Sequence, residues 1–150
     1  MTTQASFLSA ALCFAAGAAV AAGPQQPEKA MTDPNPLLTE SSLPFRYPPF
    51  DRIKTEHFAP AFEQGMAEHR KEIAAIAGNR EAPSFENTIV AMERAGALLS
   101  RTSRVFFGLN GSNTNPDMQK LQREMAPRLA AHSDAITLDP ALFARTKSLW

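Results

Sequence analysis

Along most of this chain apolar side chains return every three or four residues, and nowhere do they alternate with polar ones for more than three or four residues. The first period is that of a helix with one face turned to a core; the second would be that of a strand. The pattern therefore predicts an all-α chain. Phe58, Phe62, Met66, His69, Ile73 and Ile76 form the first stripe, on a helix running from about Thr55 to Ala77. Pro60 falls in its opening turn, where an amide has little helical partner to lose. Gly78-Asn79, both tolerant of positive φ, are the expected stop.

A second helix is predicted after Pro83, with Ser84 as its N-cap and Glu86 near the positive end of the helix dipole. Its stripe is Phe85, Ile89, Met92, Gly96, Leu99, Ser103 and Phe106. Gly96 and Ser103 on that seam would let another helix come close, and Gly108 and Gly111 are the expected end, ahead of a polar loop at Asn110–Thr114. Asn115-Pro116-Asp117 opens a third helix with a cap, a first-turn proline and an acid. Its stripe is Met118, Leu121, Met125, Leu129, His132 and Ile136, and Pro127 in its interior should kink or divide it. Asp139-Pro140 starts a fourth helix carrying Leu142, Phe143 and Leu149.

The pattern is different before residue 55. Residues 1–21 hold no charged side chain, and Phe7–Ala21 is an Ala-rich apolar run ending in Ala19-Val20-Ala21. This predicts a secretory signal cleaved after Ala21 or Ala22, too short for a comfortable membrane span, so no stable membrane insertion is expected once it is removed. Cys13, the one cysteine, lies inside it, so the cleaved chain would have no thiol for a disulfide, a nucleophile or a metal. Residues 22–36 read as a Pro-rich tether and 37–150 as the helical region. Within Leu37–Phe50, the aromatics Phe45, Tyr47 and Phe50 suggest an extended segment packed on a surface, ahead of a proline-motif ligand. The chain ends on apolar Trp150 with no cap or polar tail, and reads as cut.

Charge narrows the partners. Fifteen basic and fifteen acidic residues give a formal net charge of zero, with no pull toward nucleic acid or anionic membrane. Arg94, Arg101 and Arg104 share the second helix with Glu86 and Glu93, which favours a solvated helix face over a phosphate-binding stripe.

Chemistry is sparse. The histidines are His57, His69 and His132, and no His-Glu-x-x-His occurs. His69 and Glu72 stand three apart and could share a ligand, but two donors make a poor metal site. His69 and His132 lie in line with apolar stripes and read as packing histidines. No serine sits in a Gly-x-Ser-x-Gly elbow, and Gly108-Leu109-Asn110-Gly111 follows no strand, so it is no phosphate loop. The carboxylate pairs Glu86/Glu93 and Glu63/Glu68 fit helix-surface solvation, and Phe106, Phe107 and Trp150 fit packing better than a ligand groove. No catalytic, cofactor-binding or metal residue can be assigned.

One series of residues carries more. Asn35-Pro36-Leu37-Leu38, Pro49-Phe50-Asp51, His57–Phe62, Gly65-Met66, Glu72–Ala77, Asn87-Thr88-Ile89, Arg101, Val105-Phe106-Phe107, Leu142–Arg145 and Trp150 occur in an order and spacing that resembles the N-terminal region of the thimet-oligopeptidase family of zinc metallopeptidases. The likeness is greater to its bacterial peptidyl-dipeptidases than to oligopeptidase A. It implies a large, two-lobed helical enzyme with a deep channel, acting on short peptides as a monomer. It also implies one zinc ion held by His-Glu-x-x-His and a later Glu, none of which this chain contains. The leader adds the expectation of a periplasmic or otherwise exported enzyme. The other reading is a catalytically inert exported helical module, or a remnant of such an enzyme.

Overall fold

A computed structural model describes residues 34–150; the expected signal at 1–21 and all but the end of the tether at 22–36 lie outside the described residues. The described residues are helical and contain no strand. They form α1 (Phe58–Ala77), preceded by a 3-10 turn at Thr55–His57; α2, a π-helical stretch Phe85–Val90 that runs into Ala91–Arg94; α3 (Ala97–Ser112); α4 (Pro116–Thr137); and α5 (Pro140–Lys147). None of these helices is long and apolar enough to cross a membrane.

The first, third and fourth predicted helices are present with their expected starts. Asn115 Oδ1 accepts from Met118 N at 2.9 Å, and Asp139 Oδ1 accepts from Ala141 N and Leu142 N, each ahead of a proline in the first turn. Ser84 caps α2 reciprocally: its Oγ accepts from Asn87 N and its own N–H donates to Asn87 Oδ1, an asparagine doing what glutamate does in the usual capping box.

The second predicted helix is in fact two. Ala95 is extended (φ −69°, ψ 152°) and Gly96 left-handed at φ 73°, so α2 stops and α3 starts anew. A continuous stripe cannot survive that break. Phe85 is exposed; α3 buries Leu98, Thr102, Val105 and Phe106 and packs a partly buried Leu99 against the core, so the predicted stripe holds from Gly96 onward but not through α2. Gly96 is needed twice over: its φ is one that side chains rarely adopt, and a Cβ there would lie 2.9 Å from the His69 ring. Two other expected breaks are corrected, and the stop expected at Gly78 is present. Gly108 and Gly111 lie within α3, which continues to Ser112, because burial of Val105 and Phe106 outweighs their weak propensity. Pro127 sits inside α4 without dividing it. Gly78 ends α1 at φ −87°, without using a left-handed conformation.

α1 is the hub and packs on α3, α4 and α5. Phe58, Ala61, Phe62 and Met66 are buried with Val105 and Phe106 of α3, Met118, Leu121 and Met125 of α4, and Leu37. Phe106 stands edge-on to both Phe58 and Phe62, at 5.1 and 5.3 Å between ring centroids, a geometry that adds to simple burial. Arg128 of α4 pairs with Glu63 of α1. The chain enters this core at Asn35, whose side chain donates to His57 O at 2.8 Å and accepts from Leu37 N at 3.0 Å. The aromatic segment that follows is not packed as expected. Phe45 is fully exposed, and Tyr47 and Phe50, both exposed, stand edge-on to each other at 5.5 Å.

α1 and α3 come close at Gly65, where an added Cβ would fall 2.9 Å from Leu99 Cα. Gly65→Ala should therefore force α1 and α3 apart and cost about 1–3 kcal/mol in urea unfolding. Gly108→Ala meets nothing within 4 Å and should stabilise α3 by about 0.5–1 kcal/mol. Equal effects of the two would show that the contact at Gly65 is not tight.

Candidate functional site

Among the predicted site residues, the structure brings two histidines together. His69 on α1 and His132 on α4 lie 63 positions apart, yet His69 Nδ1 and His132 Nε2 are 3.0 Å apart. Arg70 settles the proton order. Its guanidinium only donates, and it reaches His132 Nδ1 at 3.4 Å, so that nitrogen accepts. Neutral His132 then carries its proton on Nε2 and donates it to His69 Nδ1, leaving the proton of His69 on Nε2. The pair is a directed chain from Arg70 through both rings.

Both histidines titrate below the ordinary value of 6.5. For His69 the cause is burial, opposed by the nearby Glu72 carboxylate. For His132 it is burial, then the neighbouring His69, then Arg70. Glu72 does not join the rings as a ligand. Its Oε2 accepts from Gly96 N at 2.6 Å and so holds the start of α3.

The remaining candidates serve local structure. His57 Nδ1 accepts from Lys54 N at 3.1 Å and shapes the entry to α1. Glu63 pairs with Arg128, Glu86 with Arg94, and Glu68 accepts from Gln64. Phe106 is core, whereas Phe107 and Trp150 are exposed. Among the described residues no three His, Cys, Asp or Glu side chains are grouped to hold a metal ion. The histidine pair, with a guanidinium beside it and Glu72 turned away, does not fit zinc.

Sequence reasoning missed the most connected polar group. Arg145 of α5 is buried, and its guanidinium donates to Thr88 Oγ1, Asn87 Oδ1 and the carbonyls of Asn79 and Glu81, at 2.7–3.2 Å. It ties the last helix to the end of α1 and the cap of α2. The only signal was its place, with Asn87-Thr88, in the series of residues that carries the family resemblance.

With the geometry in place, the similarities become informative. The chain is related in sequence to bacterial peptidases. It is 47% identical over 116 residues, 77% of its length, to dipeptidyl carboxypeptidase of Salmonella typhimurium, and 44% over 120 residues to that of Escherichia coli. Oligopeptidase A of Salmonella typhimurium follows at 28% over 115 residues. The order is the one the residue series implied. No protein-family model matches the chain. The chain spans 16–18% of the length of these relatives.

The partly buried pair makes stability depend on pH. The unfolded histidines take up protons near 6.5, the folded ones only at lower pH. Stability held above 6.5 is thus lost as pH falls through the folded values. The urea midpoint should drop between about pH 7 and about pH 5, and His132→Gln should flatten that drop. An equally steep drop in the variant would put the titrating groups elsewhere.

Proposed function

We propose that this chain is the N-terminal portion of an exported zinc metallopeptidase that removes dipeptides from the C-terminus of short peptides. The observation that carries this reading is the 47% identity, across 77% of the chain, to a protein named dipeptidyl carboxypeptidase. Zinc, its ligands and the general base belong, on this reading, to the larger part of the enzyme that these residues do not represent. The described helices then form one wall of a channel that admits only short, flexible peptides. Export rests on the charge-free apolar leader ending in Ala19-Val20-Ala21; on this reading the enzyme is a monomer, periplasmic or otherwise exported.

The test uses the complete coding frame that contains this chain. The purified product should release dipeptides from peptides with a free C-terminal carboxylate and not from the amidated peptides. A zinc chelator should abolish turnover and added zinc restore it. Internal cleavage of free and amidated peptides alike would make it an endopeptidase, and no turnover at any zinc concentration would leave an inert helical module. N-terminal sequencing of the exported product should begin at Ala22 or Gly23.

A further inference from the structure

The arginines that read as a solvated stripe are not simply solvated. Arg94, Arg101 and Arg104, from the end of α2 and the face of α3, line a cleft of about 540 Å³ whose opposite wall is the segment carrying Phe45 and Arg46. Four guanidinium groups face this space against two carboxylates, Glu40 and Glu93. On α3, Ala97, Ser100, Arg101 and Arg104 follow the spacing that puts side chains on one face, so the like charges of Arg101 and Arg104 stand as neighbours. Such crowding is unfavourable unless something negative enters.

The donors are partly uncommitted. Arg101 gives one terminal nitrogen to Leu37 O at 3.1 Å, while its Nε is buried and meets no acceptor among the described residues. Among the described residues Arg104 reaches only a backbone carbonyl of its own helix, Ser100 O, at 3.4 Å. Arg46 and Arg94 are paired, with Glu40 and Glu86, but both pairs are exposed and exposed pairs exchange cheaply for a better acceptor. Phe45 and Arg46 are both held in the left-handed region, at φ 57° and 56°, a strained turn that sets an arginine and a fully exposed ring at the rim. No acidic side chain in the first turn of α3 offsets the positive field of its N-terminus.

We infer that this cleft binds a small molecule through an oxyanion, carboxylate or phosphate, gripped by Arg101 and Arg104 with Arg46 and Arg94 closing on it. Guanidinium forks match the paired oxygens of either group, and the cleft has the size of a small-ligand pocket, with Phe45 and Val105 offering an apolar wall. This site stands apart from the peptidase reading and does not depend on it.

The test is a titration of the isotope-labelled full chain, followed by the backbone amides of Ala97 to Arg104 and the arginine Nε–H signals. The probes are inorganic phosphate and acetyl-dialanine, with acetyl-dialanine amide as the uncharged control, all at constant ionic strength. Saturable shifts with phosphate, with the free-acid peptide or with both support the site and identify the group it prefers. Arg104→Gln and Arg46→Gln, at exposed positions outside the core, should each weaken binding about tenfold, as loss of a charge-assisted bond requires. Lys71→Gln, remote on α1, should leave it unchanged. Saturable binding of the amide equal to that of the acid, no saturable shift with any probe, or equal weakening by Lys71→Gln would overturn the proposal.

Discussion

The contact between α1 and α3 is the constraint on which the rest of the fold depends. The two helices run antiparallel along one seam. Phe58 and Phe62 meet Phe106, Gly65 meets Leu99, His69 meets Gly96, and Glu72 accepts the amide of Gly96. Aromatic edges set one end of the seam, a glycine without a side chain sets the distance at its middle, and a carboxylate fixes the start of α3 at the other. Moving any of these shifts the phase of the whole contact, because a packed core answers small changes in volume with strain.

The outer elements attach to this pair by different means. α4 adds apolar burial through Met118, Leu121 and Met125, with the His132–His69 bond and the Arg128–Glu63 pair as polar ties. The short α5 buries Leu142 and is tied in by Arg145, whose guanidinium donates to the carbonyls of Asn79 and Glu81 and to the side chains of Asn87 and Thr88. Polar groups inside this small bundle are therefore spent on joining elements. Residues shared with the peptidase series, such as Gly65, Asn87, Thr88 and Arg145, hold structure in the described part of the molecule.

Most of the helical architecture was legible from periodicity, since a stripe such as Phe58–Phe62–Met66 has one physical solution in water. The caps at Ser84, Asn115 and Asp139 were legible because each side chain bonds within three residues of itself. What failed was long-range. The break at Ala95-Gly96 follows from His69 pressing where a Cβ would go, and nothing near Gly96 in the chain announces that ring. Gly108 and Gly111 look like stops only if tertiary packing is ignored. The histidine pair, the Arg145 hub and the arginine cleft each join positions far apart, so no local pattern could have shown them. The peptidase relationship came from residue order and spacing, which record ancestry, and not from any group that performs chemistry here.

The central claim is that the α1–α3 seam is the most stable part of the bundle, and native-state amide hydrogen exchange tests it most directly. The slowest amides should be those of Phe62 to Met66 in α1 and of Thr102 to Phe106 in α3, with α2 and α5 exchanging through smaller openings. If α4 or α5 protected its amides longest, or if α1 and α3 exchanged as fast as α2, the seam would not be what the fold depends on.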